Sequence, residues 1–183
     1  YKRQGAGISI DADDRVYICK RNKSFHNCKN ALNLGNSGTG LRLMLGLTSG
    51  MGLKASFCGD ESLSSRPMER VINPLAEMGA SIRSSEGKLP ISIASSKLKS
   101  QYTYELPIAS AQVKSCILLA ALAAGTGIEI IEPIQTRDHT ERMLKNFGAN
   151  IETNSIDGKN IIKLKSYNNL HAKNYTCLLY TSP

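Results

Sequence analysis

The sequence predicts an α/β fold of repeated βαβαββ units stacked around buried helices, with the set of units incomplete. Three observations predict it. A Gly-Ala pair followed by a short β-like run occurs in 4-QGAGISI-10, 78-MGASIRS-84 and 147-FGANIET-153. Two apolar helical stretches, each headed by small or polar residues, stand upstream of the second and third copies. Between each helix and its Gly-Ala pair come a strand-like run, a loop carrying an arginine, and a second, amphipathic helix. Self-similarity of this kind marks a supersecondary unit that buries its apolar face against its own copies.

The hairpins are the most repetitive part. Turns at Asp13-Asp14, Glu86-Gly87 and Asp157-Gly158 lead into second β-like runs, Val16–Cys19, Leu89–Ile93 and Ile161–Leu164. Short runs joined by such turns read as β-hairpins. Gly5, Gly79 and Gly148, just before each hairpin, suit the residue after a helix end, where a positive φ favours glycine.

Upstream, 35-GNSGTGLRLMLGL-47 corresponds to 109-ASAQVKSCILLAA-121. Val113–Ala124 is apolar or small on every side, the pattern of a buried helix. Gly50–Gly52 and Gly125–Gly127 read as turns ending the two helices, and Lys54–Cys58 and Ile128–Glu132 as the strands that follow. A parallel strand leading into each first helix is expected, with a right-handed crossover. The arginine loops are 64-SSRPM-68 and 135-QTRDH-139. The second helices carry the stripes Met68, Val71, Ile72, Leu75, Met78 and Thr140, Met143, Leu144, Phe147. Pro67 fits the first helical position, and Asp138 with Glu141 forms a capping box.

Composition narrows the function. With 41% hydrophobic and 21% charged residues over 183 positions, the chain is globular rather than disordered. A net charge of +8 suits an anionic partner. Aromatics at 5%, without tryptophan, argue against a stacking platform for single-stranded nucleic acid. Five cysteines without CxxC spacing and three scattered histidines give neither a zinc site nor a disulfide framework, so no metal and a reducing, cytoplasmic setting are expected. No apolar run reaches the length of a membrane span, and Tyr1-Lys2-Arg3-Gln4-Gly5 does not read as a signal peptide. Lys20, Arg21 and Lys23 read as an exposed loop.

The polar residues gather at two helix starts. A helix N-terminus has four unpaired N–H groups and a dipole that favours negative charge. Asn36-Ser37-Gly38-Thr39-Gly40 leaves the backbone open to an anion through two glycines, and Ser110-Ala111-Gln112 offers side-chain donors. Arg66 and Arg137 stand at equivalent places one repeat apart, and an arginine fork matches phosphate or carboxylate. The plain alternative for each is a surface salt bridge to Glu69 or Glu141. Two arginines beside two anion-suited helix starts favour a binding site. Arg42 and Lys114 could reach it or merely lie in a groove. Arg70 and Arg142 read as solvated helix charges, and His139 as structural. No carboxylate pair or nucleophile triad stands out, so no catalytic residue is assigned.

The motifs 34-LGNSGTG-40 with Arg42, 59-GDESLSSRPMERV-71, 107-PIASAQVKS-115 and 136-TRDHTERML-144 resemble, in order and spacing, the 5-enolpyruvylshikimate-3-phosphate synthase family over roughly residues 3–165. The resemblance implies an inverse α/β barrel of the enolpyruvyl transferase type, two domains of three units each, and substrates bound between them. It implies transfer of the enolpyruvyl group of phosphoenolpyruvate to the 5-hydroxyl of shikimate 3-phosphate, with release of phosphate and no cofactor. By matching position, Ser110, Ala111, Gln112 and Arg137 would hold shikimate 3-phosphate. Asn36, Gly38, Thr39, Arg66 and Gln112 would line the phosphoenolpyruvate site. Gly38 stands where glyphosate-tolerant relatives carry alanine, which implies an inhibitor-sensitive site.

Measured against that family, residues 1–166 are expected to form part of one domain. The Lys-Ser segment expected before Tyr1 and the second domain, with its acidic base, are not in the chain. Weak binding without turnover is expected, and a monomer for the complete protein. Residues 167–183, with 174-NYTCLLYTSP-183, depart from the pattern and are expected to be disordered or non-native. The competing readings are UDP-N-acetylglucosamine enolpyruvyl transferase and a non-catalytic polyanion-binding module. Nucleic-acid and membrane partners are not expected.

Overall fold

The computed structural model describes residues 7–10, 16–19, 25–166 and 169–173. A two-stranded hairpin comes first, β1 (Gly7–Ile10) paired antiparallel with β2 (Val16–Cys19). Its predicted turn, Gly5, the basic run at 20–23 and the tail beyond residue 173 lie outside the described residues.

Two complete units follow. The first runs β3 (Leu32–Asn33), α1 (Gly38–Gly50), β4 (Ala55–Cys58), α2 (Glu61–Ser64), α3 (Glu69–Glu77), β5 (Ser81–Ser85) and β6 (Lys88–Ala94). The second runs β7 (Gln101–Glu105), α4 (Ala111–Ala124), β8 (Gly127–Glu132), α5 (His139–Asn146), β9 (Ile151–Ile156) and β10 (Lys159–Leu164). Their sheets are wired alike, in the orders β3-β4-β6-β5 and β7-β8-β10-β9. In each, the first two strands are parallel and the remaining pairs antiparallel. The expected parallel strand before each first helix is therefore present.

Local chemistry accounts for the wiring. Both hairpins turn on an acidic residue and a glycine with positive φ, Glu86 (50°) and Gly87 (65°), then Asp157 (50°) and Gly158 (76°). Such turns match the twist of paired strands. Strand alternation sends Leu89, Ile91 and Ile93 inward from β6, Ile128 and Ile130 from β8, and Ile162 and Leu164 from β10. Leu41, Leu45, Cys116, Ile117, Leu118 and Ala121 meet them from the first helices.

Those helices touch backbone to backbone. A Cβ placed on Gly46 would stand 2.2 Å from the Cys116 carbonyl oxygen, and one on Gly50 would stand 2.1 Å from that of Ala120. Both pairs advance by one turn in the same direction, so α1 and α4 run parallel. Their N-termini end side by side.

Several expectations are corrected. Gly50 is the last residue of α1 rather than a turn, because a side chain there would collide with α4. Met68, and not Pro67, borders α3. The Met68 N–H bonds the Gly87 carbonyl at 2.8 Å, which fixes the chain in a non-helical entry and leaves Pro67 outside the helix. Asp138 makes no side-chain cap bond, and Glu141 turns inward to an ion pair instead. Met143 is exposed, while Leu144 alone of that stripe is buried in the core. The short α2, capped by Asp60 Oδ1 accepting from Leu63 N at 2.7 Å, is an addition to the predicted arginine loop. Finally, the helix caps align Ser37 with Ser110, one residue off the predicted correspondence. The loop from Leu106 to Ser110 is one residue longer than that from Leu34 to Ser37.

Candidate functional site

Each first helix begins just past the C-terminal end of the parallel strand before it, and each arginine loop leaves the same end of the neighbouring strand. Leu34 N bonds Cys58 O at 3.0 Å, and Leu106 N bonds Ile131 O at 2.8 Å, where these strand ends meet. The topology thus delivers four polar segments to one end of the molecule, and the parallel seam sets the two helix starts together.

Gln112 makes the hydrogen bonds that run between the units there. Gln112 Nε2 donates to Thr39 Oγ1 at 2.8 Å, and Arg42 Nη1 donates to Gln112 Oε1 at 2.8 Å. Gln112 therefore ties the first turn of α4 to that of α1. Arg66 Nη2 donates to Asn36 Oδ1 at 2.6 Å and more loosely to Ser62 Oγ at 3.4 Å. The Ser37 hydroxyl accepts from Gly40 N at 3.1 Å, and that of Ser110 accepts from Val113 N at 3.4 Å.

Gly38 is the pivot of this arrangement. It is buried, and a Cβ there would lie 3.1 Å from Arg66 Nη1 and 3.3 Å from Arg42 Nη1. Two guanidinium groups thus face one glycine at a helix N-terminus. The pKa of Arg42 is lowered by burial first, then by the positive charges of Arg66 and Arg70, yet an arginine remains charged at any ordinary pH. Among the described residues no carboxylate forms a salt bridge with Arg42 or Arg66. Concentrated cationic donors without an acidic partner are chemically suited to a phosphate or carboxylate.

Of the predicted site residues, the structure brings Asn36, Gly38, Thr39, Arg66 and Gln112 into one group. Ser110 and Ala111 head α4 beside them. Arg137 is exposed on the loop after β8, and among the described residues it pairs with neither Asp138 nor Glu141. Arg42, left undecided by the sequence, belongs to the group through Gln112. Lys114 does not: it is fully buried, with its ammonium 2.9 Å from Glu132 Oε2 and 2.6 Å from Glu141 Oε1. Glu132 and Glu141 are distant from Lys114 along the chain, so no local sequence pattern marks the cluster.

A family model for EPSP synthase (3-phosphoshikimate 1-carboxyvinyltransferase) matches residues 3–178. The chain belongs to the EPSP synthase family. The 3-phosphoshikimate 1-carboxyvinyltransferase of Vesicomyosocius okutanii is 53% identical over 143 residues, which is 78% of this chain and 32% of that protein. An EPSP synthase structure from Acinetobacter baumannii superposes with a TM-score of 0.81 at 40% identity, covering 92% of this chain and 38% of that one. The enolpyruvyl transferase NikO from Streptomyces tendae shares the fold at a TM-score of 0.56 and 18% identity, over 88% of this chain and 38% of that one. The chain spans about a third of the length of the EPSP synthase relatives it matches. The paired units are thus part of an enolpyruvyl transferase-type α/β fold, as the family resemblance implied, built from the repeated units that the sequence pattern predicted.

Proposed function

We propose that this chain supplies a substrate-binding part of an EPSP synthase, a transferase of the shikimate pathway. The reaction would join the 5-hydroxyl of shikimate 3-phosphate to C2 of phosphoenolpyruvate, and the resulting tetrahedral adduct would then expel phosphate. The observation that carries the reading is Gly38 flanked by Arg42 and Arg66 at the head of α1. That arrangement presents two cationic forks to one anion, while the Gly38 and Gly40 N–H groups are already bonded, to Asn36 O and Ser37 Oγ. Asn36, Gly38, Thr39 and Arg66 would receive phosphoenolpyruvate, with Gln112 between the two ligands. Ser110, Ala111, Gln112 and Arg137 would receive shikimate 3-phosphate.

In this reading the residues bind and orient, while the proton-transfer groups would come from the remaining two-thirds of the protein. Residues 1–166 would be part of one domain, and the complete protein would act as a cytoplasmic monomer. No helix of the described residues is long and apolar enough to cross a membrane.

Calorimetric titration of the chain with shikimate 3-phosphate, with and without phosphoenolpyruvate, tests the proposal. Saturable binding that Arg66→Ala or Arg137→Ala weakens is expected. Preference for a UDP-sugar would favour the sister transferase. Affinity for any polyanion, falling steeply with salt and indifferent to these two substitutions, would favour a general electrostatic module.

A further inference from the structure

The two units offer an internal comparison at a site that the substrate reading leaves unused. In unit two, Lys114, Glu132 and Glu141 form a buried charged cluster, and their side chains are 0%, 0% and 6% exposed. Equivalent positions in unit one follow from the geometry. Leu41 stands four residues past the Ser37 cap, as Lys114 stands four past Ser110. Gly59 follows the strand-end bond at Cys58, as Glu132 follows the one at Ile131. Val71 stands three past the Met68 cap, as Glu141 stands three past Asp138. Unit one fills this space with Leu41, Leu63 and Val71, all fully buried; a Cβ on Gly59 would meet Leu63 at 2.6 Å. The same fold is therefore built without charge.

Charge at this place is a costly choice. Desolvating three ionic groups is expensive, and well-packed apolar replacements are often neutral or stabilising. The compensation here is incomplete. Lys114 Nζ donates to Glu132 Oε1 at a long 3.3 Å. Its contacts to Glu132 Oε2 and Glu141 Oε1 fall within ion-pair distance but outside hydrogen-bond geometry, and Glu141 Oε2 has no hydrogen-bond partner. A need other than stability accounts better for the cluster.

Its connections say what that need is. Glu132 Oε1 accepts from Thr136 N at 2.6 Å and from Thr136 Oγ1 at 3.0 Å. Glu141 sits in the first turn of α5, and the neighbouring Thr140 hydroxyl lies 2.7 Å from that of Ser115 on α4. From residue 133 to residue 140 no residue is buried. A loop with so little packing gains its order from polar attachments. Arg137 lies between two of them, one residue after Thr136 and three before Thr140.

We propose that Lys114, Glu132 and Glu141 are positioning residues for Arg137. They fix the loop after β8 to the first turns of α4, so that the guanidinium and the Ser110–Gln112 helix start face one ligand as a unit. The inference rests on the reading of Arg137 as a phosphate ligand. Unit one needs no such device, because Asn36 holds Arg66 directly.

A double-mutant cycle tests it. The triple variant Lys114→Leu/Glu132→Leu/Glu141→Val gives unit two the apolar filling of unit one. Each background is compared with and without Arg137→Ala, using shikimate 3-phosphate as the titrant, with circular dichroism and amide hydrogen exchange as companion readouts. The triple variant is expected to fold with an undiminished unfolding midpoint. Arg137→Ala should weaken binding roughly tenfold in the parent and less than about twofold in the triple variant. Exchange at the hydrogen-bonded Thr136 and Arg142 amides, on either side of Arg137, should quicken in the triple variant, while β10 is unchanged. Equal losses in both backgrounds, or unchanged loop exchange, would overturn the proposal. A triple variant that cannot fold would also overturn it, by showing that the charges serve the fold. If Arg137→Ala has no effect in the parent, the ligand reading of Arg137 fails and the positioning role falls with it; quickened loop exchange would then show that the cluster still orders the loop.

Discussion

Gly46 meets the carbonyl of Cys116 with no room for a methyl group between them. The nearest approach of an added Cβ would be 2.2 Å, to a backbone oxygen that cannot rotate away. Gly46→Ala must therefore part α1 from α4. Overpacking of this kind costs about 1–3 kcal/mol, and more where the neighbour is backbone. Chemical denaturation should show a lower midpoint at unchanged slope. Gly50→Ala should act alike, through Ala120.

Gly38→Ala should behave differently. Its Cβ would meet the ends of two flexible arginines, at 3.1 and 3.3 Å, rather than backbone. The guanidinium groups can yield by a few tenths of an ångström, so the unfolding midpoint should hold. Affinity for phosphoenolpyruvate should fall several-fold, because both cationic forks are moved from the helix mouth. Titration of a correctly folded variant with undiminished affinity would remove Gly38 from the site.

Cys116 should be chemically silent. Burial raises its thiol pKa to about 12, against a smaller lowering by the Gly46 backbone and Arg42. The thiolate is the reactive form, and it is both scarce and enclosed. Peptide mapping after brief iodoacetamide treatment should find Cys28 and Cys58 modified, both of which are part-exposed, and Cys116 unmodified until denaturant is added.

The junction between units should weaken in alkali. The Tyr102 hydroxyl donates to the Glu77 carboxylate at the end of α3. Its pKa rises from 10.0 to about 12, through burial first and then through Glu77. The folded state thus holds the proton more tightly than the unfolded chain. The stabilisation is complete below pH 10 and is lost as pH climbs through about 12. Unfolding midpoints measured across that window should fall more steeply for the parent than for Tyr102→Phe. Comparing the two cancels lysine titration.

Much of this architecture was legible because it rests on local rules written twice. Glu86-Gly87 and Asp157-Gly158 specify hairpin turns by backbone conformation, and Val113–Ala124 announces burial through its composition. The repeat pointed to the two helix starts and the two arginine loops, and the family resemblance singled out Asn36, Gly38, Thr39, Arg66 and Gln112 among them. What escaped depended on the third dimension. Gly50 looks like a helix terminator in one dimension and is a contact point in three. Glu141, three residues after Asp138, has the spacing of a capping box. Lys114 draws it inward instead, because a buried ammonium needs a counter-charge more than an exposed helix start needs a cap. Glu132 continues the inward alternation of Ile128 and Ile130, a position where sequence pattern expects an apolar residue. Nothing along the chain marked its partner.

The parallel seam has an electrical consequence. Two helices side by side in the same sense set like poles together, each N-terminus carrying roughly half a positive charge. Glycine contact makes the two poles unusually near neighbours, and Arg42 and Arg66 add full charges of the same sign. An anion seated between them would neutralise a repulsion that the seam itself creates. Ligand binding and folding would then be two sides of one equilibrium, and occupancy would tighten the helix pair far below the mouth where the ligand sits.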